Sequence, residues 1–568
     1  VQKNAEAAEA KLVMSGPGVF SVQTRDAIKS QVRVIFVISS IIIAALLLLL
    51  YRSFSALVLG FLPVLTGILA GIAAVSLGFG VVHGITLGFC TALIGEAVDY
   101  SIYLFIQSGH GLDSDVVDSP QSWVKTYWPT VRLGVLTSVF GFAALLLSGF
   151  PGLAQLGLYS ITGLIAAAAM TRFVLPHLLP AGFHVRDVQS IGLRLSHLAK
   201  RAPTFKWVAI AILITACAIL YMHRSDIWNH ELSSLSPVSA ADMALDARLR
   251  ADMGAPDVRF VVVVSGASQE TVLSAAEKVS EALDPLVAQG KLAGFETPSR
   301  YLPSLATQKA RQASLPGPAE LNSRLELALE GLPVRPHLLK PFVDDVEITR
   351  KKDLLTAADL QNTSMAMAVD ALLIQRNDHW SALLPLSAHD GNLDITAVRA
   401  AINTLPNAVF VDLKNESNRL YSGYLNEAIL LSLAGLIAIA TLLLYALRSP
   451  SRVLRMILPL AAAVLTVTAG LVLFGQQLII LHLIGLLLVV AIGSNYTLFF
   501  DPPVAGPIEP HTFASLLFAN IATVIGFGLL AFSTVPILQA MGMTVAPGVI
   551  LALIFAAAFA KRQAGQTA

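Results

Sequence analysis

Long apolar runs separated by short polar turns occupy both ends of this chain, and the middle loses that pattern. A membrane-crossing helix needs about 20 mostly apolar residues. Runs of that kind fall at about 33–51, 55–77, 84–107, 131–149, 153–179, 207–222, 424–446, 457–475, 478–500, 512–533 and 537–560, which predicts eleven spans. The shortest, 207–222, has Trp207 and Tyr221 at its ends, where aromatic rings settle at a membrane interface.

Segment 223–423 reads instead as a soluble α+β domain. Val258–Ser265 has the apolar run of a buried strand, Glu270–Leu283 the spacing of an amphipathic helix, and Lys291–Glu296 that of a strand returning beside the first. A mostly helical stretch, 304–373, precedes a strand at Trp380–Leu386, a helix at Ile395–Leu405 and a strand at Ala408–Leu413. Two βαβ-like units flanking a helical insertion predict a split ferredoxin-like fold. Asp378, His379 and His389 read as surface residues, and no catalytic grouping emerges. No Walker-type phosphate loop occurs anywhere, which argues against ATP as an energy source. The chain is expected to be no enzyme and to need no cofactor or metal.

The two apolar ends repeat each other. Arg52-Ser53 recurs as Arg448-Ser449, Pro63 as Pro459 and Tyr100 as Tyr496, all at one offset. Gly141-Phe142 then recurs as Gly526-Phe527, Pro151 as Pro536 and Gly157 as Gly542, at a smaller offset. A loop that is longer in the first half (108–130) than in the second (501–511) accounts for the change. Spans one to five therefore match spans seven to eleven in order and direction, which predicts two parallel-repeat helix bundles. Because 207–222 and 223–423 have no first-half counterpart beyond residues 1–27, and the first residue is Val1, a longer protein with twelve spans is expected.

Composition agrees with a lipid environment. Charged residues make up 13% against roughly a quarter in soluble globules, and mean hydropathy is +0.70. A net charge of +1 argues against a nucleic-acid partner. Cys90 and Cys217 lie far apart in apolar runs and suggest neither a disulfide framework nor a zinc site. Basic residues fix the orientation: Arg52, Arg186, Arg194, Lys200, Arg201, Lys206, Arg448, Arg452, Arg455, Lys561 and Arg562 share one side, and the alternate short loops hold none. The positive-inside rule makes that side cytoplasmic. Residues 1–30 and 223–423 are then external, 31–180 the first bundle, 181–206 a cytoplasmic amphipathic linker, 207–222 the helix opening the second half, and 424–562 the second bundle. The stretch Arg186–Arg201 reads equally as an amphipathic surface helix or a solvated linker.

The chemistry sits in the third span, Gly95-Glu96-Ala97-Val98-Asp99-Tyr100. Ionisable groups within lipid cost at least a few kcal/mol each. Glu96 and Asp99, three residues apart, share a helix face that should point into the bundle. A buried carboxyl group that gains and loses a proton can drive alternation if its two forms favour different helix packings. Alternatively, either group hydrogen-bonds a neighbouring helix without titrating. The repeat counterpart of Asp99 is Asn495 and that of Glu96 is Ile492, so the proton site is lopsided. Asn520 and Thr523, one helical turn apart, are candidates to orient Asp99 or complete a water path, or else serve as packing glue. His83 and His482 lie near span ends and read as interfacial.

These features resemble the resistance–nodulation–division superfamily, and the Gly95–Tyr100 segment is similar to the Gly-x-x-x-Asp-Tyr motif of its MMPL-like branch. Within that branch the chain looks like predicted exporters associated with aryl polyene and xanthomonadin pigments. The resemblance covers the chain apart from a first helix and most of a first porter domain. It implies that 223–423 is a periplasmic porter domain in a bacterial inner-membrane protein, and that Asp99-Tyr100 and Asn495-Tyr496 belong to a proton relay. It also implies export of lipids or other hydrophobic molecules. Gly493-Ser494-Asn495-Tyr496 departs from the pattern where many members keep an Asp, so a paired-aspartate relay is not expected. The partners so implied are protons, membrane lipids and a hydrophobic or lipid-like substrate, with a homo-oligomer or a periplasmic carrier protein as further expectations. A non-transporting sensor on the scaffold of the sterol-sensing relatives, or an accessory factor in protein or lipoprotein translocation, are the alternatives.

Overall fold

The computed structural model describes residues 12–108, 120–179, 188–252, 259–388, 393–501 and 509–560. Arg186, Val258, His389, Lys561 and Arg562, residues 109–119 of the loop 108–130 and residues 1–11 fall outside them, as does the side chain of Cys90. The chain forms two compact units, one of residues 1–239 with 418–568, the other Ala240–Ser417.

The first unit is helical. Its helices are α1 (Pro17–Tyr51), α2 (Phe54–Phe79), α3 (Gly84–Ser108), α4 (Trp128–Leu146), α5 (Pro151–Ala169, prolonged through a π turn to Leu178), α6 (Gln189–Arg201) and α7 (Lys206–Met222). The second set is α8 (Leu413–Leu447), α9 (Pro450–Leu473), α10 (Ile480–Phe500), α11 (Pro510–Gly528) and α12 (Pro536–Ala558). Ten helices among the described residues are long and apolar enough to cross a membrane, and α3 supplies the remaining predicted span. The protein is a multi-pass helical membrane protein.

The repeat governs the packing. Arg52 and Arg448 both end their helices in the left-handed region at φ 49°, turning the chain from α1 into α2 and from α8 into α9. Pro63 and Pro459 lie inside α2 and α9. The third helix of each half then packs against the fourth helix of the other: α3 on α11, α10 on α4. Within each half, α2 packs on α5 and α9 on α12. The turn between α4 and α5 is held by α8, where the Glu427 carboxylate accepts the Gly149 N–H at 2.7 Å. The equivalent turn between α11 and α12 is held by α1, where the Gln31 side-chain oxygen accepts the Thr534 N–H at 3.0 Å. Gly157 and Gly542 permit the tight α4–α5 and α11–α12 crossings, since a Cβ there would sit 2.8 Å from the Leu146 nitrogen and 2.1 Å from the Ala531 nitrogen. Association in lipid depends on such close packing, because lipid supplies little hydrophobic drive between helices.

The halves differ at the Arg52/Arg448 end. In the second, Arg452 and Arg455 pair with Asp501 at 3.2 and 3.1 Å. In the first, the position equivalent to Asp501 is Phe105, whose ring meets Tyr51 edge-on at 5.1 Å. The amphipathic stretch is a true helix, α6, packed on α11, with Gly192 against the Pro510 carbonyl. Residues 223–239, assigned from sequence to the external domain, belong to the helical unit. Leu478 donates its N–H to the Ile227 carbonyl at 2.7 Å, and Asn229 donates to the Leu478 carbonyl at 2.8 Å.

The second unit carries an antiparallel sheet of β1 (Phe260–Gly266), β2 (Gly294–Phe295), β3 (Leu373–Arg376), β4 (His379–Ser387) and β5 (Ala408–Asp412) in the order β2-β4-β1-β5, with β3 also on β4. The ferredoxin-like pattern is present. One detail is corrected: β2 does not lie beside β1, because β4 separates them. Each pairs antiparallel with β4, which makes the unit a split βαβ. Ala382, Leu384 and Leu386 alternate inward on β4 and meet Val272, Ala276, Val279 and Leu283 from one face of the helix Gln269–Ala288. Each fully buried Leu or Val there contributes about 1.5–3 kcal/mol. The predicted surface residue Asp378 sits with Asn377 in a two-residue turn, φ 47° and 61°, that makes β3–β4 a hairpin.

Candidate functional site

The two carboxyl groups of α3 lie at the contact between α3 and α11. Gly95 brings the two backbones together there, since a Cβ on it would be 3.2 Å from the Thr523 Cα. One turn on, Asp99 is 1% exposed and Glu96 2%. Thr523 donates its hydroxyl to Asp99 Oδ2 over a long 3.4 Å. Asp99 Oδ1 and Glu96 Oε1 have no hydrogen-bond partner among the described residues. Ser138 of α4 lies within electrostatic reach of Glu96, yet neither Ser138 Oγ nor Glu96 Oε1 meets a partner at good geometry. No lysine or arginine pairs with either carboxyl group among the described residues. A buried anion without a counter-charge is costly, so the two protonation states of this site make different demands on its walls.

Those walls are phenolic. Tyr100 follows Asp99 on α3 and is buried, as are Tyr103 one turn later, Tyr51 at the end of α1, and Tyr496 of α10. All four rings fall within electrostatic reach of Asp99, and their hydroxyls lack partners of good geometry among the described residues. Tyr496 thereby brings the second half's motif to the first half's acid. Its hydroxyl is directed toward Asn520 and Thr523 without a well-formed bond. Tyr103 packs against Phe499, with centroids 5.1 Å apart, so α3 and α10 meet just beyond the acids.

Of the residues singled out by sequence, Glu96, Asp99, Tyr100, Tyr496 and Thr523 come together. Asn520 does not bond Asp99; it donates to the Val549 carbonyl at 2.9 Å and ties α11 to α12. Asn495 faces α4, where its Oδ1 fills the space a Cβ on Gly134 would need. Beside it Ser494 and Thr137 share a hydrogen bond of 2.7 Å. The second half thus replaces an acid with a neutral amide beside bonded hydroxyls. His83 is exposed, but His482, expected at an interface, is buried with Nδ1 accepting the Ile479 N–H at 3.0 Å. Tyr51, Tyr103 and Ser138 were missed. Tyr103 was within reach, since it stands four residues after Asp99 on one helix face.

A comparison with protein-family models then bears on the whole first bundle. Residues 1–212 match the MMPL family. The MMPL-matched segment begins before α1, contains the Gly95–Tyr100 motif and ends inside α7. No curated protein matches the chain. Beyond residue 212, the second bundle repeats the helix order of the first. The MMPL match and the long apolar helices support a membrane transporter of the RND/MMPL kind.

Proposed function

We propose that this protein is a proton-motive-force-driven exporter of a hydrophobic or lipid-linked substrate, with Asp99 as the group that carries the proton. The observation behind this is a pair of buried carboxyl groups without a cationic partner among the described residues, placed where helices of the two halves meet. Protonated Asp99 is neutral and tolerates the tight α3–α11 contact. Ionised Asp99 calls for water or a donor, which favours a looser packing of the same helices. If the two packings open the bundle to opposite sides, proton binding on one side and release on the other drives alternation. Tyr100 and Tyr496 flank the acid as hydroxyls for proton hand-over, Glu96 is a second acceptor on the same face, and Thr523 holds Asp99 in place. Asn495 can bond but cannot exchange a proton, so traffic runs through the first half.

The proposed setting is the bacterial inner membrane. The Arg52 and Arg448 turns lie in the cytoplasm, as the positive-inside rule requires, and the Ala240–Ser417 unit lies in the periplasm.

The test is proton uptake into proteoliposomes carrying a pH-sensitive dye under an imposed pH gradient. Asp99→Asn should abolish protein-dependent uptake while leaving expression and monodispersity unchanged. Uptake undiminished in Asp99→Asn would refute the assignment.

A further inference from the structure

A cavity of about 580 Å³ opens at the end of the helical unit opposite the Arg52 and Arg448 turns. It belongs wholly to the second half, between the segment after α7, the α9–α10 turn and the start of α12, away from the carboxyl groups of α3. Its size is that of small-molecule sites, which run from about 300 to 1,000 Å³. Its lining is unusually rich in neutral hydrogen-bonding groups: His223, Gln476, Gln477, His482 and Gln539, with Asp226 the one charged side chain.

Two of these groups are held by hydrogen bonds to the backbone. Because the Ile479 N–H must be the donor to His482 Nδ1, that nitrogen carries no proton and the ring is neutral, with Nε2–H as its remaining donor. His482 is 5% exposed. His223 is held the other way. Its Nδ1 bonds the Ile219 carbonyl at 3.0 Å, so Nδ1 is the donor and Nε2 is the ring nitrogen left to meet a ligand. The cavity therefore offers a built donor at His482, with the free ring nitrogen of His223 and the amides of three glutamines in the same lining.

The residues just before these polar ones are apolar and outward-facing, while Arg224 follows His223 with its guanidinium 5.2 Å from the Tyr221 ring. Tyr221 and Met222 precede His223, and Leu473 and Phe474 precede Gly475. Phe474 is 87% exposed and Tyr221 71%. A polar cavity bordered by exposed apolar side chains fits a molecule with a polar end and a hydrocarbon end. An anionic head is disfavoured, because no lysine or arginine among the described residues lines the cavity and Asp226 would repel it. A quaternary ammonium head could meet Asp226, which is exposed and therefore screened by water, but could use neither the His482 N–H nor the glutamine donors.

We infer that this cavity binds the uncharged, hydroxyl- or amide-bearing head group of an amphiphile, whose tail lies along the neighbouring apolar residues. The inference rests on the export reading only in taking that amphiphile as cargo; binding itself does not require proton coupling. The probe is radiolabelled dodecyl glucoside, measured by equilibrium binding to the full chain in lipid nanodiscs. Dodecyl phosphate and dodecyltrimethylammonium serve as competitors of equal tail length. Saturable binding is expected, displaced by unlabelled glucoside and weakly by either charged competitor. Gln539→Ala, which removes one amide, should weaken binding by up to about tenfold, as loss of a neutral hydrogen bond does. His482→Phe, which removes the fixed donor, should weaken it at least as much. Asp99→Asn should bind like the parent even where proton uptake is lost, which separates failure of this site from failure of the proton mechanism. Equal displacement by dodecyl phosphate, or unchanged affinity in both Gln539→Ala and His482→Phe, would overturn the assignment.

Discussion

Replacing Gly134 by alanine tests how the neutral half of the site is built. The new Cβ would lie 1.7 Å from Asn495 Oδ1 and 2.9 Å from its Cγ, roughly half an ordinary contact distance at the nearer atom. The amide has little room to swing, because Asn495 is buried and Ser494 is anchored to Thr137 next to it. Either Asn495 leaves its rotamer or α4 and α10 separate. Overpacking of this kind costs about 1–3 kcal/mol, a factor of about 5 to 150 in the folding equilibrium. Asn495→Ala removes the obstructing amide, so the double variant should recover most of the loss, with a coupling energy of about 1–2 kcal/mol. The measurement is reversible unfolding in sodium dodecyl sulfate, followed by circular dichroism, for the parent, both single variants and the pair. A Gly134→Ala protein as stable as the parent would refute the reasoning. So would a double variant no better than Gly134→Ala, since the penalty would then arise elsewhere.

Three further outcomes are expected. Glu427→Ala should cost about 0.5–1.5 kcal/mol in the same unfolding assay, because it removes the acceptor of the exposed Gly149 N–H; Gln31→Ala should act alike on the Thr534 turn. In the extramembrane unit, burial pushes the Asp412 carboxyl up, but the two-pronged bond from Arg259 and the Asn415 N–H outweigh it and hold it below the usual carboxylate range. Its contribution is therefore present above the unfolded value of about 4 and fades as pH falls through the lower folded value, so Asp412→Asn should flatten the acid limb of denaturation read by Trp380 fluorescence. Asp378→Gly should stabilise the same unit by about 0.5–1 kcal/mol, because φ 61° suits glycine, and the denaturation midpoint at neutral pH reads it.

The parts of this architecture that were legible in the sequence are those written in period and spacing. The equivalence of Arg52 with Arg448 and Gly157 with Gly542 returned as matched turns and matched helix crossings. The two acids of α3 announced themselves because charge in an apolar run is costly. What escaped notice depends on contacts between segments remote in the chain. Tyr51 ends a long apolar helix and looks like an interface anchor until α3 is laid beside it. Asn520 and Thr523 are chemically alike from sequence, and only packing against α12 and α3 gives them different partners. The segment 223–239 carries no apolar run, so its pairing with Leu478 left no trace in hydropathy. Strand β3 falls almost wholly between the predicted helical stretch, which ends at 373, and the predicted strand at Trp380, because its four residues are too few to show alternation.

The exchange of fourth helices between the halves has a bearing on ancestry. A lone copy of the repeat, with its third helix awaiting a neighbour's fourth, would expose the face that now carries the acids. Any single-copy forerunner with this packing would have had to exist as a twofold pair of identical chains. Fusion of the two genes would then have left each copy free to carry its own residue at this position, as Asp99 and Asn495 now differ.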